Sequence, residues 1–154
     1  MLTPSGHPYL QLPAPQITRR DAYVWPRPEG KPVGRPMVHE DGVLSAEFSQ
    51  DGKLLATSGE DNFGTRWDPE TGRQFWPKLA HDNQVAHIHF SHDGRWLATS
   101  SSDFTVKVWE TATRRLLVPA TAHPTNVFDA VFLADDRALM TYSWDRLRRI
   151  LDLT

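Results

Sequence analysis

The chain has 154 residues, a formal net charge of -2, 12 prolines and no cysteine. That balance supplies no basic field for nucleic acid or an anionic membrane, and the lack of thiols excludes disulfides and thiolate chemistry. No apolar run approaches the roughly 18 residues of a spanning helix, and the start, MLTPSGHPYLQLPAP, lacks the basic and apolar regions of a signal peptide, so a cytoplasmic protein is expected.

Residues 1–36 carry 8 of the 12 prolines, a density usual in linkers. Spacing argues for structure in the second half of that stretch, because Trp25 and Gly30 lie 42 residues before Trp67 and Gly72. Residues 22–25 therefore read as a third strand and residues 30–37 as an outer strand. Residues 3–10 echo the turn at 49–54, with a short insertion. From His39 onward the chain reads as an inner strand at 43–49, a second at 53–58, a third at 63–68 and an outer strand after Gly72. Alternation sets Leu44, Ala46 and Phe48 toward the core, with Ser45 and Glu47 facing away. Gly64 and Arg66 stand where the following unit has Val106 and Val108, so this strand is expected to be weakened.

The next unit, from His81, is the best formed. An apolar run ends in Phe90, a turn follows at His92-Asp93-Gly94, a second run holds Trp96, Leu97 and Ala98, and a third, after Asp103, ends in Trp109. The last unit, from His123, has lost features: Asp135-Asp136 replaces Asp-Gly, Arg148 replaces the Val106 equivalent and Leu151 replaces the Trp. Three strands are expected there, without an outer one.

His39, His81 and His123 mark one register at a spacing of 42 residues, and a fixed period with strands inside it signals a repeat architecture. These residues resemble the WD40 repeat over about residues 39–154, with a weaker partial copy before it. The resemblance implies an all-β fold of WD40-type β-propeller blades, about 3.5 repeats of 42 residues. The expected division is a partial N-terminal blade (1–38), two repeats (39–80 and 81–122) and a repeat lacking its outer strand (123–154). Such a set makes an incomplete propeller, belonging to a longer protein or completed by self-association.

In that family a loop His, a strand Thr, a turn Asp and a strand Trp form a hydrogen-bonded chain within each blade. The matching positions are His39, Thr57, Asp61 and Trp67; His81, Thr99, Asp103 and Trp109; and His123, Thr141 and Asp145, where Leu151 has no indole N–H to donate. His, Asp and a hydroxyl also suggest a hydrolase triad. A triad is needed once, however, and three copies in register are a structural device. His81, His87, His89 and His92 offer imidazoles, with His87 and His89 on one strand face, but Ser45 and Glu47 hold the equivalent places one repeat earlier and no metal site is read. Arg146 and Arg148 fall on opposite strand faces, so with Arg137 and Arg149 they form no stripe for a phosphate backbone. No cofactor or catalytic motif appears, and no enzyme is expected.

The implied function is a non-catalytic scaffold for a protein or peptide partner, without nucleic acid or membrane. Propellers of this family bind on the face made by the interstrand turns, which places Glu60, Ser102 and Trp144 there, with Ser45, His87 and Asp129 near the channel mouth. Trp144 is the sharpest of these, since exposed aromatics dominate binding energy; its other reading is a packing Trp that compensates for Leu151. An alternative is a regulatory or sensor segment of a larger bacterial signalling enzyme such as a Ser/Thr kinase, suggested by residues 30–37.

Overall fold

The computed structural model describes residues 9–11, 20–25, 31–117 and 119–154; Gly30 and most of the 3–10 echo lie outside them. Three strands come first, β1 (Tyr9–Gln11), β2 (Asp21–Trp25) and β3 (Val33–Val38), paired as one antiparallel sheet in that order. The first complete blade is β4 (Val43–Phe48), β5 (Leu55–Gly59), β6 (Phe63–Trp67) and β7 (Gln74–Ala80). The second is β8 (Val85–Phe90), β9 (Trp96–Ser101), β10 (Thr105–Glu110) and the short β11 (Thr121–Ala122). The last sheet has β12 (Val127–Phe132), β13 (Ala138–Ser143) and β14 (Arg148–Asp152). Each is an antiparallel meander, which the turn chemistry between apolar runs dictates.

The core lies between sheets. Ala22, Val24 and Met37 of the N-terminal sheet pack with Leu55 and Trp67 of the first blade. Ala56 and Leu79 of that blade pack with Ile88, Phe90 and Leu97 of the second, and Ala98, Val106 and Val108 of the second with Val127, Ala130, Phe132 and Leu139 of the last sheet. Successive residues of a second strand thus face opposite neighbours, Leu55 backward and Ala56 forward, and β5 is buried along its whole length. Two backbones also meet closely. A Cβ on Gly34 would lie 2.7 Å from the Glu70 carbonyl oxygen and one on Gly72 would lie 2.4 Å from that of Arg35, so glycine lets β3 seat against the turn after β6.

Two expectations change. Leu44 is 38% exposed rather than part of the core. The register shifts between Val43 and Ser45, and again between Val85 and His87 and between Val127 and Asp129, so β4, β8 and β12 each carry a bulge at the same repeat position. The extra residue breaks the alternation that assigned Leu44 inward. The Asp135-Asp136 turn is likewise more than a lost Asp-Gly. Asp136 takes the left-handed conformation (φ 55°) that Gly52 and Gly94 adopt in the other two turns. Its carboxylate accepts the His92 and Asp93 N–H groups at 3.0 and 2.9 Å and the His92 ring N–H at 2.7 Å, tying the last sheet to the second blade.

Gly64 also has a use. A Cβ there would meet Ile88 Cδ1 at 3.1 Å and Thr99 Cγ2 at 3.3 Å, so the next blade occupies the space that a side chain would fill. Gly64→Val, which copies the Val106 position of the second blade, is therefore expected to destabilise by about 1–3 kcal/mol through overpacking. Urea unfolding measures this, and a Gly64→Val chain as stable as the parent would show that the blades are looser than described.

Candidate interaction face and blade network

The intrablade chain forms completely in the two full blades. The Trp67 indole N–H donates to the Thr57 hydroxyl (2.7 Å), which lies 2.5 Å from His39 Nε2, while His39 Nδ1–H donates to Asp61 (3.0 Å). In the second blade the equivalent distances are 2.9 Å from Trp109 to Thr99, 2.8 Å from Thr99 to His81 and 2.8 Å from His81 to Asp103. With Nδ1–H given to the carboxylate and Nε2 accepting the hydroxyl, the imidazole is neutral. Burial lowers the His81 pKa, against a partial opposing effect of Asp103. Burial likewise opposes ionisation of Asp103, but the Thr105 hydroxyl, the Asp82 N–H and His81 outweigh it and lower its pKa to about 2. His39 and His81 are buried, so the chain fixes the entry loop, the second strand and the turn to one another with no face open to a substrate.

The third copy departs from expectation. His123 Nε2 meets the Thr141 hydroxyl at 2.8 Å, but its Nδ1–H donates to the Thr121 carbonyl at 3.3 Å, and Asp145 is not in the chain. Asp145 accepts Arg149 Nη2 at 2.5 Å and the Ser143 hydroxyl at 2.6 Å instead. The cause is local. Leu147 stands where Thr105 holds Asp103 in place through its hydroxyl (2.7 Å), and an arginine four residues beyond Asp145 offers a charge-assisted pair. Leu151 fills the indole's place as a partly buried member of the core.

The inner strands carry a second device. His89 donates Nδ1–H to Glu47 of the first blade at 2.6 Å and Nε2–H to Asp129 of the last sheet at 3.0 Å. Burial works against its charge, but the two carboxylates outweigh that and raise its pKa to about 9. With both ring nitrogens donating, neither has a lone pair for a metal, and among the described residues no three His, Cys, Asp or Glu side chains form a metal site. His87 stacks on His89 with centroids 6.0 Å apart and donates to the Phe128 carbonyl. Asp129 is thus committed to an interblade bridge that alternation and motif alone did not reveal. The available signal was that Glu47 and His89, of opposite charge, share one repeat position.

The turns between second and third strands and the starts of the inner strands lie at one end of the blades, as the antiparallel order requires. Trp144 is there and 72% exposed, so it does not pack in the place of the lost indole. Leu44, Phe104, Phe128 and Leu147 are exposed at the same end. Glu60 and Ser102, the repeat equivalents of Trp144, and Ser45 are half-buried, and the Ser102 hydroxyl accepts the Gln84 amide at 3.3 Å.

Stacked four-stranded meanders with a His–Thr–Trp chain in each full blade define a propeller-type repeat protein. The family model for the WD domain, G-beta repeat, matches residues 30–68 and 75–110, and the chain belongs to the WD40 repeat family. Each matched stretch runs from an outer strand through the next blade's third strand, so the unit of sequence bridges two blades. No curated protein matches the chain. Among solved structures it is similar to the computationally designed Ika8 protein, with a TM-score of 0.78 at 20% identity over 88% of this chain and 41% of that one. The likeness is one of fold, and the chain spans less than half the length of that structure. Among the described residues no helix is long and apolar enough to cross a membrane.

The titrations give opposite slopes. His81 and His123 are held low by burial, so their share of stability is full above the unfolded imidazole value of about 6.5 and is lost as pH falls below it. His89 is raised, so its share is full below about pH 6.5 and disappears as pH climbs to about 9. His89→Gln should flatten the alkaline limb of a urea-midpoint profile and leave the acid limb intact; an unchanged alkaline limb would refute the bridge. In the chain itself, Asp103→Ala should cost about 1–3 kcal/mol by leaving buried donors unpaired, and a variant that melts like the parent would remove the network from the account.

Proposed function

We propose that the chain is a non-catalytic scaffold and that the blade end carrying Trp144 is its docking face for a protein or peptide. WD40 repeats generally serve protein interaction, and the exposure of Trp144 is the observation that carries this reading. A large aromatic left in water at a turn has no stabilising role there, whereas buried against a partner it makes the kind of anchor that dominates interface energy. Glu60, Ser102 and Ser45, half-buried at the same end, supply the polar rim, while His87 and Asp129 stay engaged in the inner-strand contacts.

Phe104 adds support. It is 47% exposed and holds φ at 69°, where Asn62 stands in the first blade. A bulky residue in the left-handed region is strained, and strain retained at an exposed turn accords with a binding role.

Once a partner is identified by pull-down, Trp144→Ala should weaken it by about 2 kcal/mol or more at an unchanged melting temperature. Phe104→Asn should melt higher than the parent, because the backbone relaxes, yet bind more weakly. If Trp144→Ala binds as tightly as the parent, or melts lower, the docking face is wrong.

A further inference from the structure

At the far end of the blades from Trp144, the rim between the two complete blades holds two arginines with no counter-charge. Arg66 on β6 is only 5% exposed. Its Nη1 donates to the Thr111 carbonyl just beyond β10. Its Nε–H is enclosed without a partner, as is the Thr111 hydroxyl. Arg114, in the turn after β10, donates Nη1 to the Trp76 carbonyl on β7 and lies near enough for its charge to act on Arg66. Among the described residues neither arginine has a carboxylate within ion-pair distance. Two acids of the adjoining turns are engaged locally, Asp68 accepting the Glu70 N–H at 2.9 Å and Glu110 the Thr113 hydroxyl, and the exposed Glu70 pairs with neither arginine.

A buried cation beside a like charge is costly, and the equivalent Val108 shows that the position accepts an apolar side chain. With Nη1 occupied, what Arg66 leaves free is the Nε/Nη2 edge, the side of a guanidinium that takes two oxygens at once. The hydroxyl of Thr111, whose carbonyl Arg66 holds, is idle, and Arg114 brings a second guanidinium to the same rim. We propose that this rim binds a tetrahedral oxyanion of the phosphate class, held by the free edges of Arg66 and Arg114 and by the Thr111 hydroxyl. Inorganic phosphate and a phosphoryl group on a partner's side chain present the same oxygens.

Inorganic phosphate is the probe, with sodium chloride at equal ionic strength as control. Phosphate should move the Arg66 Nε–H resonance saturably in proton–nitrogen spectra and raise the melting temperature, and chloride should do neither. Arg114→Gln, a change in a surface turn, should weaken phosphate by about tenfold. Arg66→Met should melt at or above the parent in chloride and lose the phosphate response. A phosphoserine peptide that displaces phosphate, where its unphosphorylated form does not, would assign the site to a modified partner; failure to displace would assign it to the free ion. An Arg66 resonance unmoved by phosphate, or an Arg114→Gln chain that binds as the parent does, overturns the site.

Discussion

Apolar contact between neighbouring blades is the constraint on which the rest of this structure depends. No single sheet encloses a core: each cluster of buried side chains draws on two sheets, as where Ile88 of the second blade lies against Ala56 and Leu79 of the first. A meander of three or four short strands buries too little by itself, so stability here is a sum of interfaces between repeats. Polar groups follow the same logic. Glu47, His89 and Asp129 join three consecutive inner strands, and Asp136 fastens one turn to the next.

The His–Thr–Trp chain works at a shorter range. It locks each blade's own loop, strand and turn, so that the residues facing the neighbour are presented in one register. A buried polar chain of this type stabilises only when every member is satisfied. The last sheet illustrates the requirement: without the Trp indole and the Thr105 hydroxyl, Asp145 turns to Arg149 and His123 to a main-chain carbonyl. Repetition in register, together with full burial of the histidines, is why these groups are read as architecture rather than as a hydrolase site.

Much of the fold was legible because turn chemistry and strand alternation repeat together, and the positions of His81, Asp103 and Trp109 could be read by counting. Leu44 was misplaced because a bulge depends on backbone pairing, to which alternation is blind. Gly64 and Arg66 looked like defects while their own strand was considered alone; Ile88 and Thr111, which account for them, belong to the next blade. The His89 bridge was hidden for the same reason, since its carboxylates lie about one repeat away on either side. Trp144 was legible as a departure from the repeat, and its exposure speaks against packing in the place of the lost indole.

The proposed docking face and oxyanion site both rest on departures from the repeat, because positions that hold the blades together are not free to vary. Trp144 and Phe104 are breaks of that kind at one end, and Arg66 with Arg114 at the other. The underlying claim is that blades are stable only through their neighbours, and native-state hydrogen exchange on Ile88→Ala tests it most directly. The substitution should cost about 2–5 kcal/mol and lower amide protection in β5 and β6 and in β12 and β13 along with β8 and β9. Protection lost in the second blade alone would contradict the account.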